Sequence, residues 1–365
     1  MASIPVAPLP AAPGAGFHVV RTTRTSRVTF AVTVALVALM ASMPWWADPS
    51  TTSLVIEFMY YLAIAQMWNL LAGYGGMVSI GQQAYIGIGA YVLVWVALQT
   101  GMHPLLSIPL AALVSALVAW PVSKLLFRLP GAYFSVGAWV VAEVFRLLFA
   151  NYTPLGGGTG TSITASLAEM DEWWREAALL WCALALAVAS MLGVYLLLRS
   201  RTGLALTAIR DSETASESMG VRVPRVKLLV YVAAAAGAGM TGALIYLTKL
   251  RVSPDAAFSV EWSALAIFIV VIGGIGTIEG PIVGAIVYFL LRWALADYGT
   301  AYMVALGLLA MGIMLFARRG VWGWVHARTG LELFPLRRRL VLEPAQGGKA
   351  KWRPLPSSAQ DTKTP

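Results

Sequence analysis

Charge is what this sequence has least of. Only 12% of its 365 residues are Asp, Glu, Lys or Arg, about half the roughly 25% carried by a water-soluble domain. A chain this poor in charge, and 59% hydrophobic, cannot present a solvated surface. That excludes an ordinary soluble enzyme and points to an integral membrane protein. Cysteine occurs once, at Cys182, so no disulfide can form within the chain and no cysteine cluster exists for a metal. Histidine occurs three times, at His18, His103 and His326, never near another, which leaves no visible metal ligand set. Acidic residues number 17 against 26 basic ones, a formal charge of +9. The excess does not mark a nucleic-acid partner. The arginines cluster beside hydrophobic blocks and in the tails, where a membrane protein keeps its cytoplasmic charge.

What the sequence has in quantity is long apolar runs. Ten can be placed, at 28–43 and about 54–72, 84–100, 104–122, 131–150, 173–198, 228–248, 261–279, 281–297 and 300–317, each near the roughly 20 residues that cross a bilayer. The expected fold is all-α, a polytopic membrane protein of about ten transmembrane helices. Residues 1–27 are Ala/Pro/Gly-rich and read as a disordered tail. The first run follows basic residues as a signal peptide would, but it continues into Pro44-Trp45-Trp46, an interfacial aromatic pair that favours a retained helix. Residues 318–365 carry Arg337-Arg338-Arg339 and read as a solvated basic tail beside lipid. Orientation follows from the basic residues. Arg21, Arg24, Arg27, Lys124, Arg128, the run from Arg199 to Lys227, Arg318 and Arg319 thread to one side, whereas Asp48, Glu169, Asp171 and Glu172 thread to the other. Lys249 and Arg251, near Asp255, depart from the pattern. Both termini are expected in the cytoplasm, around a transmembrane domain of residues 28–317.

The densest charge interrupts the apolar blocks as RSRTGLALTAIRDSETASESMGVRVPRVK, residues 199–227. The spacing of Leu204, Ala208, Asp211, Ala215 and Met219 predicts one helix over 202–219, with small residues such as Ser216 along it. Gly220 would end it as a left-handed cap, and Pro224 bars its return. Two readings stand: a helix that merely connects spans, or a narrow apolar stripe that enters a cleft on another protein, with Arg210, Asp211, Glu213 and Glu217 at its rim.

Glycine is concentrated in two belts. The first sets Gly73, Gly75, Gly76, Gly81, Gly87 and Gly89 among Ser79, Gln82, Gln83 and Tyr85. Glycine lets helices approach closely or break where protein or water can satisfy the backbone. Close packing accounts for Gly87 and Gly89 but poorly for two adjacent amides, which must face different ways. The second belt, Gly273, Gly274, Gly276, Thr277, Glu279, Gly280 and Pro281, echoes the first, GGIGTI against GGMVSI. Candidate path residues are Gly75, Gly76, Ser79, Gly81, Gln82, Gln83, Tyr85, Gly273, Gly274, Gly276 and Thr277. Glu143, paired with Arg146 at i, i+3 within one span, is either a structural ion pair or part of that path. Arg292 and Asp297 form an ordinary pair near a membrane end. The run LGGGTGTSI (155–163) lacks the lysine of a phosphate-binding loop.

The stretch TAIRDSETASESMGV resembles the cytoplasmic coupling loop of ABC importer permeases, specifically the branched-chain amino acid permease family. NLLAGYGGMVSIGQQAYIGIGAY (69–91), LPGAYFSVGAWVVAEVFRLLFANYTPLGGGTG (129–160), VSPDAAFSVEWSALAIFIVVIGGIGTIEGPIVGA (252–285) and RRGVWG (318–323) extend the resemblance over roughly 54–324. Two departures stand out: Thr214 occupies the slot where importers generally have Glu, and Gln82 stands where many relatives have His. The resemblance implies an ABC importer permease fold in a bacterial inner membrane. It also implies a second, shorter permease subunit, a periplasmic substrate-binding protein and two cytoplasmic ATPases that hold ATP and magnesium. The coupling residues would be Ala208, Arg210, Asp211, Glu213, Ala215, Ser216, Glu217, Met219 and Gly220. No cofactor or covalent chemistry is expected of this chain. The expected cargo is a branched-chain or related amino acid, with urea or a short amide as the nearest alternative. A secondary transporter driven by an ion gradient is the rival from another class, with Glu143 its candidate acid.

Overall fold

The structure, a computed structural model, describes residues 17–20, 24–168, 170–295, 304, 307–308, 311–312, 315, 320–329, 333–334 and 339–342. A short strand β1 (Phe17–Val20) precedes α1 (Arg24–Ala41), α2 (Pro49–Asn69), α3 (Gln83–Trp95), α4 (Ser107–Leu126) and α5 (Ala132–Ala150). A two-residue strand β2 (Thr161–Ser162) and a single turn α6 (Thr164–Leu167) lead to α7 (Glu172–Arg199). Two short helices, α8 (Arg201–Asp211) and α9 (Glu213–Ser218), then connect to α10 (Val223–Lys249). Strand β3 (Arg251–Val252) and α11 (Pro254–Ala257) precede α12 (Glu261–Gly273) and α13 (Gly280–Ala294), with α14 (Gly320–Thr329) and β4 (Arg339–Leu342) following.

Eight helices among the described residues are long and apolar enough to cross a membrane. They coincide with the first eight apolar runs. The ninth run forms α13, a shorter apolar helix of 15 residues, and the tenth, 300–317, lies mostly outside the described residues. Burial ranks the spans. In α2, 78% of the apolar stretch is buried, against 6% in α1. An α-helix that is apolar all round belongs in the interior, and α2 fills that place, packed by α7, α10 and α12, while α1 runs along the outside of α7. Its start is well defined: Asp48 accepts the Thr51 amide at 3.0 Å and Pro49 opens the first turn, which provides for an otherwise unpaired donor.

Regular elements also lie in the segments read as tails. β1 pairs antiparallel with β4, Phe17 opposite Leu342 and Val20 opposite Arg339, and FHVV and RLVL carry the β-branched and apolar residues a ladder favours. Helix α1 also starts at Arg24, inside the expected tail. The basic C-terminal tail is not wholly solvated, because Trp322 in α14 is buried and the Phe334 amide donates to Glu279 Oε1 at 2.9 Å. Residues 1–16 and 343–365 lie outside the description.

Candidate functional site

The two glycine belts are connectors between consecutive helices, and they touch. Helix α2 does not break in mid-span. It loosens into a wide π turn over Leu70–Tyr74 and then gives way to the connector that leads to α3. The second belt joins α12 to α13. A Cβ on Gly73 would lie 2.6 Å from the Gly276 amide nitrogen, so the two backbones meet at a distance only glycine permits. Gly276 has φ of +76°, a left-handed conformation suited to glycine. Side chains of α2 stitch the connectors together. Asn69 Oδ1 accepts the Gly276 amide at 2.9 Å, Asn69 Nδ2 donates to Thr277 O at 2.8 Å, and Gln66 Nε2 donates to Ile278 O at 2.8 Å. Thr277 Oγ1 closes the second connector by accepting the Gly280 amide at 3.0 Å and donating to Gly274 O.

Sequence reasoning missed Gln66 and Asn69. The signal was there: two amides at i, i+3 in an otherwise apolar span are costly unless they have partners.

The two adjacent glutamines face different ways. Gln83 is tied to α12, where its Oε1 accepts the Ser263 hydroxyl. Gln82 is buried, yet neither its Nε2 nor its Oε1 has a hydrogen-bond partner among the described residues. Tyr85 turns instead to α10, its hydroxyl 2.9 Å from that of Tyr231. Ser79 is buried and bonded within the connector, with its carbonyl held by Trp68 Nε1 at 2.8 Å and its hydroxyl accepting the Gly81 amide. Gly81 and Gly89 allow close approach of Ala138 in α5 and Gly239 in α10, and Gly87 that of the Phe258 ring. Gly75 sits buried against Leu206 of α8. Of the first belt's candidate side chains, then, Gln82 is the buried one whose amide has no partner among the described residues.

The loop between α7 and α10 is not the single helix expected over 202–219. Ser212 adopts an extended conformation (φ −160°, ψ 113°) and its hydroxyl caps α9 by accepting the Ala215 amide at 3.3 Å. Serine competes for local backbone donors in this way, which favours a new cap over an uninterrupted helix. Gly203, Leu206 and Ile209 of α8 are buried toward the bundle, and Ser216 is buried in α9. Leu204 and Met219 project outward, 73% and 83% exposed, and Asp211, Ala215 and Glu217 are exposed beside them, with Ala208 partly covered. Glu213 pairs with Lys227 of α10 at 2.6 Å. The left-handed cap is observed: Gly220 has φ of +83°, its amide reaches Glu217 O at 2.9 Å and that of Val221 reaches Ser216 O at 3.0 Å, the two bonds of a Schellman ending. Arg210, its side chain 45% exposed, reaches back to the first connector, its Nη1 donating to Gly73 O at 2.7 Å.

At the opposite end of α5, Glu143 and Arg146 form the ion pair read from their spacing, with Arg146 Nε 2.9 and 3.0 Å from the two carboxylate oxygens. Asp255 of α11, noted in the sequence only as the neighbour of the departing Lys249 and Arg251, completes a triad at 2.5 Å from Arg146 Nη1. Arg292 pairs with Glu57 of α2 at 2.8 Å. Its expected partner Asp297 lies outside the described residues.

Residues 50–319 match the model of a family described as branched-chain amino acid transport system / permease component. The chain is similar to the high-affinity branched-chain amino acid transport system permease protein LivM of Salmonella typhimurium. That likeness is 27% identity over 313 residues, 79% of this chain and 73% of the relative. The LivM protein of Escherichia coli is similar to the same extent. The probable branched-chain amino acid transport permease protein LivM of Methanocaldococcus jannaschii is 22% identical over 290 residues, 70% of this chain and 84% of the relative. No solved structure matches the chain.

Proposed function

The chain belongs to the branched-chain amino acid permease family and is a multi-pass permease subunit of an ABC importer that works with other transporter subunits; from that premise we propose what it carries and with which partners. Its cargo is a branched-chain or closely related amino acid, the substrate class in the names of its relatives. It works beside a second permease, receives substrate from a periplasmic binding protein, and is driven by two cytoplasmic ATPases that hold ATP and magnesium. The chain itself does no covalent chemistry. It lines the path and relays the ATPase motion through residues 199–227, and residues 28–317 form the membrane domain.

The observation that carries this reading is the outward face of α8 and α9. Two large apolar side chains, Leu204 and Met219, stand exposed on a loop otherwise full of charge, a pattern that marks a protein contact. Co-expression of the whole transporter tests it. We expect Leu204→Asp with Met219→Asp to release the ATPases from a purified complex and to abolish ATP-dependent uptake of labelled leucine. An undisturbed complex with normal uptake would set the docking role aside. Uptake that follows an ion gradient after ATP is removed would instead support a secondary transporter.

A further inference from the structure

Arg210 stands where three backbone segments converge. Its Nη1 bonds Gly73 O at 2.7 Å. A Cβ built on Gly276 would fall 3.1 Å from the same nitrogen, and one built on Gly76 would fall 3.4 Å from Arg210 Cγ. Gly73 lies in the π turn, Leu70–Tyr74, that follows α2 and ends its helical run. Carbonyls at a helix C-terminus lack intrahelical donors and carry the negative end of the helix dipole, so a guanidinium is a favoured partner there. Here that cation comes from a different element, α8.

The same helix end is bound to the second connector through Asn69 and Gln66. Helix α8, the end of α2 and the start of α13 are therefore linked through side chain–backbone hydrogen bonds. By contrast, α8 is jointed along the chain, because Ser200 (ψ 173°) and Ser212 are both extended at its two ends. The helical backbone of α8 is thus continuous with neither α7 nor α9. Displacement through Arg210 meets a charge-assisted bond.

We infer that Arg210 is a positioning residue that latches the docking loop to the junction of the two glycine connectors, so that α8, the end of α2 and the start of α13 move as one body. This rests on the reading of residues 199–227 as the ATPase-docking loop.

The test uses the complete transporter in proteoliposomes, with ATP hydrolysis and leucine uptake measured together. Loss of one charge-assisted bond should lower uptake per ATP by about tenfold in Arg210→Gln, with the ATPases still bound and hydrolysing. Arg210→Lys, which keeps the charge and one donor, should recover most of it. Unchanged uptake per ATP in Arg210→Gln overturns the latch and leaves the docking reading intact. Release of the ATPases from that variant also overturns it, because Arg210 would then be a contact of the partner. Wild-type complex that binds no ATPase sinks the docking reading and the latch with it.

A second measurement leaves Arg210 untouched. Spin labels at Arg201→Cys and Val78→Cys in a Cys182→Ser background report the distance between α8 and the first connector. We expect the same distance in nucleotide-free and ATP-bound complexes. A distance that changes between them overturns the latch.

Discussion

At the scale of single residues, the informative contrast is between two neighbours of one type. Gln83 has a partner on α12, whereas Gln82 is as deeply buried and has none among the described residues. A buried amide without partners costs about 1–3 kcal/mol, so Leu at this position should leave the isolated subunit at least as stable. If Gln82 borders the substrate path or the second permease, Gln82→Leu should cut uptake about tenfold or more, the scale of one lost buried hydrogen bond, without altering assembly. Thermal melting of the subunit alongside uptake assays separates the two effects, and unchanged uptake of several substrates would return Gln82 to packing. Asp48 gives a residue-scale expectation of another kind. Hydrogen bonds from the Ser50 hydroxyl and the Thr51 amide and hydroxyl hold its carboxyl well below the usual carboxylate range. A carboxylate lowered in the folded state stabilises above its unfolded value, and that contribution fades only as pH falls toward the lowered one. Hydrogen-exchange protection at the start of α2, taken relative to the intrinsic rate at each pH, should therefore be unchanged between about pH 7 and pH 5, both above the ordinary carboxylate value, and lower at both in Asp48→Ala.

At the scale of elements, the docking loop divides into parts with different jobs. Gly220 has open space around its α-carbon but φ of +83°, so a β-branched side chain there is opposed by backbone strain and not by crowding. Gly220→Val should unravel the Schellman ending and turn α9, releasing the ATPases or uncoupling hydrolysis from uptake while the chain still inserts. Ala215→Trp should do the same from the partner's side, because Ala215 is exposed and a bulky ring there obstructs a docked surface. Arg225→Ala, in the first turn of α10 and outside α8 and α9, should leave both unchanged. If Gly220→Val and Ala215→Trp both keep bound ATPase and full uptake, the loop only connects spans. The apolar runs made the spans legible in the sequence, since length and hydrophobicity alone set them, and the Gly220 ending was legible because only a few residue types tolerate that conformation. The break at Ser212 was not, because a serine in a helical pattern reads as helix until its own hydroxyl is seen capping the next turn. The reach of Arg210 back to the first connector was equally hidden, since it depends on a carbonyl 137 positions away in the chain. The kinship of GGMVSI and GGIGTI could be read as an echo, but not that the two belts are in contact.

At the scale of the whole molecule, the distribution of charge and aromatic rings sets an axis across the membrane. One end carries Lys124 in the last turn of α4, Arg128 just after it, and the basic flanks of α8 and α9, Arg199 to Lys227. The other carries a tryptophan cluster, with the Trp45 ring 5.9 Å from that of Trp173 and Trp173 stacked edge-on against Trp174 at 4.9 Å, beside Asp171 and Glu172. Tryptophan collects at membrane–water interfaces, and lysine and arginine collect on the cytoplasmic side. The pairing of β1 with β4 requires the two tails to lie on one side, whichever side that is. From this distribution we propose that the N-terminus, the docking loop and the C-terminus lie in the cytoplasm, where ATP is. Single cysteines at Ser26, Ser212 and Ser357 in a Cys182→Ser background should resist a membrane-impermeant thiol reagent in intact cells. Thr153→Cys, exposed just beyond α5 at the opposite end, should react as the outward control. After the membrane is opened, Ser212→Cys should become reactive, which distinguishes protection by the bilayer from burial in the protein. Reaction of Ser212→Cys from outside intact cells would invert the molecule, put the exposed Leu204 and Met219 beyond the reach of any cytoplasmic ATPase, and remove the physical basis for coupling through this loop.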